Sequence, residues 1–414
     1  MINQNEYELR GFYKPHFFAL YINGRYDPDL NNLSTPDLGT FAHEYVHYLQ
    51  NITTIFGLRN SVFYFRYLYE LKSHIAKNSA FELPLKNVDI DFTENLKRGK
   101  QLFDQYYGTK ETLTVGFDEV KVSLKKRGTS KIPCLQLYYN GKLVKSVLVG
   151  NLCVKEGMAH LIQSLYDPEV KHDTFPYLAV EILCEHLNPK MAEDKRKLIS
   201  ACLIALNSQN SGLTLYETLL NEQSDISGKA LYEKLLSEHK VIYQSKEISI
   251  REFILSSIEE FRTALSNSIY AELNHFNKLL DNVKWSVNEG ICPLLETLYD
   301  DSGVAGLHGL IDFYGIPYIR TIDGYQYFPP EILDSTQEQI ANELLDLMGQ
   351  SIVLDRVLEL NESAPMCSFY AICQLDETDV TDDHCFSTQW KRSTPCLFKI
   401  VSDNWQLNEK IKCG

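Results

Sequence analysis

What the chain lacks narrows its class before any motif is considered. In 414 residues no apolar run approaches the roughly 18 needed to cross a bilayer, so a membrane span is not expected. The stretch from Met1 to Arg10 holds no basic segment followed by an apolar core. No secretory signal is therefore expected, and the protein is read as cytoplasmic. Positive charge is in deficit: Lys and Arg number 40 against 55 Asp and Glu, for a formal net charge of −15. That balance argues against a nucleic-acid partner or an anionic membrane surface. The basic run Lys121, Lys125, Lys126, Arg127 and Lys131 alternates with apolar residues and reads as a solvated hairpin. Internal repeats, low-complexity tracts and a long linker are also missing, which leaves out a solenoid and a beads-on-a-string arrangement.

What is present is an ordinary globular composition, 44% hydrophobic and 23% charged, in a chain long enough for two or three domains. Five of the ten cysteines (Cys367, Cys373, Cys385, Cys396 and Cys413) lie in the last 48 residues, with His384 among them. They include no Cys-x-x-Cys, so buried or free thiols are expected, with a structural zinc as the rival reading. Cys153, Cys184 and Cys202 have apolar helical surroundings and read as core.

Along the chain, Lys14 to Tyr26 is an apolar, aromatic run closed by Asn23-Gly24, which predicts a strand and turn. Ser34-Thr35-Pro36-Asp37 marks a helix start. That helix is expected to end at Gly57 and to be followed by a second over 58–77 and a short one over 93–107. Between 112 and 149 the periodicity falls to two, predicting a small antiparallel sheet whose clearest hairpin turns at Asn140-Gly141. Helical spacing returns over 151–166, with Asn151 as a candidate cap. It continues over 174–187, 190–207, 213–222, 226–238, 248–283, 291–299 and 335–350, broken by a Gly-rich loop at 302–309 and by Pro329-Pro330.

The chemistry centres on His43-Glu44-Tyr45-Val46-His47. Residues four apart share a helix face, so the two imidazoles can converge on one metal ion. Glu44 is turned by about 100° from His43, beside the metal position, where a carboxylate can take a proton from water. A catalytic zinc site usually takes a third protein ligand. The best candidate is Glu156, in Lys155-Glu156-Gly157-Met158-Ala159 at the start of another helix. His160 is one turn further on the same face. It reads as a supporting group, a substitute ligand, an oxyanion donor or, most simply, a surface histidine. His308, Tyr314 and Tyr318 sit in or after the Gly-rich stretch, where a donor to a tetrahedral intermediate has room, and have no assigned role.

His-Glu-x-x-His followed by a glutamate in an Asn-Glu-Gly-Phe-Ala-like motif resembles the gluzincin metallopeptidases, the thermolysin-like and aminopeptidase-like zinc enzymes. The resemblance covers residues 15–57 and 151–166. It implies Zn2+ on His43, His47 and Glu156, Glu44 as general base, and a substrate chain along an edge strand formed by Pro15 to Asn23. The chain departs from the pattern in two places. There are 108 residues between His47 and Glu156, far more than the usual spacer, and position 160 carries histidine where thermolysin-like enzymes have a supporting aspartate.

The expected fold is α+β: a zincin-like catalytic domain over 1–170 with a β-rich insertion at 112–149, a helical domain over 171–330, and a helix with a Cys-containing tail over 331–414. The expected function is zinc-dependent endopeptidase cleavage of a selective intracellular protein or peptide substrate, with the helical region covering the cleft and choosing the substrate. With neither signal nor pro-segment expected, such an enzyme needs a restraint such as a regulatory protein partner. The rival from another class is a zincin-derived binding or regulatory module without turnover.

Overall fold

The computed structural model describes residues 10–77, 94–128, 130–222, 224–243, 245–331, 334–358, 367, 370, 373, 385 and 396–407. It is mixed α and β, with the helices dominant. Its centre is a helix, α1 (Thr35–Thr53), whose residues from Gly39 to Ile52 are all buried. Ser34 starts it by accepting the Asp37 backbone N–H, with Pro36 in the first turn where no N–H is needed.

Two short strands, β1 (Gly11–Lys14) and β2 (Ala19–Ile22), precede α1 and form an antiparallel pair packed on it. The expected edge strand Pro15–Asn23 is thus corrected. Its strand, Ala19–Ile22, is interior, and β1 is the outer one on that side. Helix α1 also stops before Gly57: Thr54 is extended, its hydroxyl donates to Gln50 O (2.6 Å), and α2 (Ile55–Lys77) begins at once. Gly57 lies inside α2 where the two helices cross, and a Cβ there would fall 2.3 Å from Gln50 O.

Helix α3 (Glu94–Tyr107) is followed by a three-stranded antiparallel sheet, β3 (Glu119–Arg127), β4 (Ser130–Tyr139) and β5 (Lys142–Leu148). The hairpin turns at Asn140 and Gly141, both with positive φ, as the strand twist requires. Helix α4 (Asn151–Tyr166) then packs lengthwise on α1. Gly150, not Asn151, is its cap residue. Asn151 instead accepts the Ser211 N–H at 2.9 Å, tying α4 to a later helix.

Beyond it come α5 (Ala179–Leu187), α6 (Pro189–Ala192), α7 (Lys195–Leu206), α8 (Ser211–Asn221) and α9 (Gly228–Glu238), then the hairpin β6 (Lys240–Tyr243) and β7 (Lys246–Ser249). The single helix expected over 248–283 is two, α10 (Ile250–Ser266) and α11 (Asn274–Glu289). After α12 (Pro293–Tyr299), the expected Gly-rich loop is a helix, α13 (Gly303–Tyr314). Its glycines are tolerated because the segment packs against neighbours; Gly306 faces Ser302 and Thr297 closely.

Strand β8 (Tyr318–Thr321) lies parallel beside β2, with β9 (Gln326–Tyr327) outside it, giving the order β1-β2-β8-β9. The sheet over α1 therefore draws strands from both sides of the boundary expected at residue 170. Helices α14 (Gln337–Leu358) and α15 (Leu397–Asn404) pack on each other at the end. One cluster of buried hydrophobic residues runs from Tyr13 to Leu407. Among the described residues no helix is long and apolar enough to cross a membrane. His384 and Cys413 lie outside the described residues.

Candidate metal centre

Helices α1 and α4 cross so that the histidine face of one meets the start of the other. His47 Nε2 is 3.0 Å and His43 Nε2 3.4 Å from the same oxygen, Glu156 Oε2. These are the only three residues, among those described, whose donor atoms gather closely enough to hold a metal ion, all within 4.8 Å of one another. Two ligands at about 2.1 Å on a tetrahedral centre stand roughly 3.4 Å apart, so the two separations to Glu156 are already of that order.

The local charges agree with a cation there. Burial alone would pull the His43 imidazole down, but its hydrogen bond to Glu156 and the adjacent Glu44 outweigh this and its pKa is raised. Burial would push Glu156 up, yet His47, Lys155 and the two imidazole contacts hold it well below the usual carboxylate range. Burial brings His47 down to about 4, which keeps its lone pair free for a metal at neutral pH. One carboxylate and two imidazoles thus form a site that favours a positive charge, and the donor set fits a divalent metal.

Two supports hold this group. Gln50, one turn after His47, places Oε1 2.9 Å from His47 Nδ1 while its Nε2 donates to Lys155 O at 3.0 Å. The amide is therefore oriented by Lys155, its oxygen is left to accept, and His47 carries its proton on Nδ1. Lys155 Nζ lies 3.0 Å from Glu156 Oε1, so each carboxylate oxygen has a partner. On the opposite face of α1, Tyr45 and Tyr48 donate to Gly315 O (2.9 Å) and Tyr314 O (2.6 Å), fixing the helix about its axis.

Glu44 is buried beside the group, and its Oε2 has no hydrogen-bond partner among the described residues. Burial, helped by the charge on Glu156, pushes its carboxyl up to about 7. Gly11 of β1 leaves it room: a Cβ at that position would lie 2.9 Å from Glu44 Cγ.

His160 is not on the surface. It is buried, its Nε2 3.4 Å from Glu181 Oε2, and it is not one of the three gathered donors. Its ring stands 5.1 Å from that of His172, which lies 5.6 Å from His43 and stacks on Tyr177 at 4.3 Å. His172 and Tyr177, close to the metal position, carry no signal in the sequence. Gln50 does carry one, the i+3 spacing from His47. His308 is on α13, which packs against the Leu30–Asn32 turn, and the Tyr314 and Tyr318 side chains are buried packing groups in α13 and β8. None of the three belongs to the metal group.

A cavity of about 670 Å3 adjoins His47, Gln50 and Lys155, and all of its lining lies between Tyr13 and Lys155. The helices beyond 178 add no residue to that lining. No family model, curated protein or solved structure matches this chain.

Proposed function

We propose that the protein is a zinc metallopeptidase acting as an endopeptidase on a protein or peptide substrate, with the region around α1 and α4 as a zincin-like catalytic unit. The observation that carries this reading is the convergence of His43, His47 and Glu156 with an unpartnered buried carboxylate, Glu44, at their side. A bound zinc ion supplies Lewis acidity towards a peptide carbonyl and makes water more acidic. Glu44 takes the proton of the attacking water on Oε2 and returns it to the leaving amine. A carboxylate in this position can act as base in the first step and as acid in the second. Gln50 and Lys155 keep His47 and Glu156 aimed at one point. Among the described residues β1 pairs only with β2, so its outer edge offers backbone groups for an extended substrate next to Glu44.

Elemental analysis and peptide cleavage test this together. Wild type is expected to hold about one zinc per chain, and Glu156→Ala to lose it. Glu44→Gln should keep the metal and lose cleavage of an unstructured peptide pool by about 10²–10⁴-fold. Full zinc in Glu156→Ala removes that residue from the ligand set. Cleavage unchanged in Glu44→Gln removes Glu44 as the general base, and no cleavage by the zinc-loaded wild type favours a binding module.

A further inference from the structure

A second cavity, of about 180 Å3, opens where α2 and α3 meet the connection between α7 and α8, and none of His43, His47 and Glu156 lines it. Its volume is close to the roughly 150 Å3 of an apolar cavity that takes up benzene, so it has room for one ring rather than a stretch of peptide. Ile55, Phe56, Val62 and Phe63 of α2 and Leu96 and Phe103 of α3 give it apolar walls. Such walls with a few convergent polar groups are the usual make-up of a small-molecule site.

The polar groups on the lining are not equally matched. Arg59 is half-buried, its guanidinium over the rings of Phe253 (5.4 Å) and Tyr243 (5.9 Å). Among the described residues it has no carboxylate or other hydrogen-bond acceptor, and its nitrogens are not sealed from solvent, so its N–H groups open on the cavity. Asn60, next along α2 and also on the lining, likewise has no partner for its side-chain amide among the described residues. The other cation, Arg66, is matched. It lies 3.7 Å from Glu260 Oε2, and the Tyr243 hydroxyl donates to the second oxygen of that carboxylate. The other acid, Glu70, comes eleven residues after Arg59, about 16 Å further along the helix axis. The pocket thus carries one unmet positive charge, held against two aromatic rings, beside an unmet amide donor.

We propose that this pocket binds a small monocarboxylate with an apolar body the size of one ring. The carboxylate accepts from the Arg59 guanidinium, whose N–H groups can grip both oxygens, and from the Asn60 amide. The body rests among Phe56, Val62 and Phe103. A neutral ligand leaves the guanidinium unmet. A dianion such as a phosphate monoester needs a second cation, and the other one among the described lining residues is taken by Glu260. Stacking on Phe253 and Tyr243 leaves the guanidinium less freedom to lose when it grips a carboxylate. The site is independent of the metal chemistry, although Phe56, Asn60 and Phe103 also line the cavity at His47.

Isothermal titration of the full-length protein with phenylacetate, phenylacetamide, acetate and phenyl phosphate tests the assignment. Phenylacetate should bind about tenfold tighter than its amide, the margin of a charge-assisted over a neutral hydrogen bond. It should also bind tighter than acetate, which lacks the ring. Arg59→Gln should bring acid and amide to equal affinity, and Asn60→Ala should weaken the acid severalfold. Arg59→Lys keeps the charge and covers the case in which Arg59→Gln fails to fold; it should bind phenylacetate more weakly than wild type while still preferring acid to amide. No binding of phenylacetate, equal affinity for acid and amide, or acetate as good as phenylacetate overturns the proposal. Acid binding unchanged in the Arg59 variants also overturns it, since the acid then binds elsewhere, such as at the metal centre. Phenyl phosphate binding tighter than phenylacetate makes the site one for dianions, against the assignment.

Discussion

His47 is held through both ring nitrogens, and the holding of Nδ1 falls to one amide. Gln50 is buried, accepts from His47 and donates to Lys155 O, which ties α1 to the residue before the third ligand. Gln50→Ala frees the His47 ring and leaves the Lys155 carbonyl unmet, so zinc affinity should fall about 10–100-fold, the usual cost of losing such a support. Gln50→Glu keeps an acceptor for Nδ1–H but loses the donor to Lys155 O, and should lie between the alanine variant and wild type. Competition with a zinc-chelating dye measures both; unchanged affinity in the alanine variant rules this support out. At this scale the sequence revealed what spacing within one helix encodes. His43, Glu44 and His47 are visible as a motif, and Glu156 as a carboxylate opening an apolar helix. His160 looked like a surface residue because nothing nearby in the chain announces Glu181, which approaches from α5. His172 and Tyr177 lie past Pro168 with no periodic relation to either helix, and only the fold brings them to His43.

The junction of α1 and α2 shows why a glycine is misread when only turns are considered. Gly57 looked like a helix stop, yet Thr54 makes the break and Gly57 lets α2 cross against α1. A Cβ there would meet Gln50 O at 2.3 Å and Asn51 Cα at 2.4 Å, both backbone atoms that cannot swing aside. Gly57→Ala should destabilise the protein by about 3 kcal/mol, the upper end for overpacking, and should weaken metal binding in the same variant because Gln50 must shift. Urea unfolding and the dye titration read the two effects; loss of neither refutes the close approach. Elements with strong local signals were legible: the capped start of α1, the period-two strands around Asn140-Gly141, and α4. The α10–α11 break was not, because residues 267–273 contain neither glycine nor proline and the chain turns there through tertiary contacts, such as Ser268 donating to Phe65 O at 3.1 Å. Helix α13 was read as loop because its glycines lower helical propensity, a cost that packing outweighs.

Across the whole molecule, the parallel pairing of β2 with β8 joins residues about 300 positions apart. No local pattern can encode such a register. The continuous core built on it encloses one histidine that is not part of the metal group, and a second borders the cavity. His275 is buried, its Nδ1 without a hydrogen-bond partner among the described residues, and burial holds its pKa down to about 4; His16, stacked on Tyr64 at 3.8 Å, is held at about 3. Both values are lowered from the ordinary 6.5, so between that pH and about 4 the unfolded chain binds protons that the native state refuses. Their effect on stability is therefore absent above pH 6.5 and destabilising below it. By pH 5 each histidine should cost about 2 kcal/mol, from about 1.4 kcal/mol per pH unit below the unfolded-state value. Urea unfolding of the metal-free protein at pH 7 and pH 5 should show that loss, and His275→Asn should reduce it by about 2 kcal/mol because its share of the proton uptake is gone. An identical loss in His275→Asn would mean that this ring takes up its proton without unfolding, and that the core around α11 opens to acid on its own.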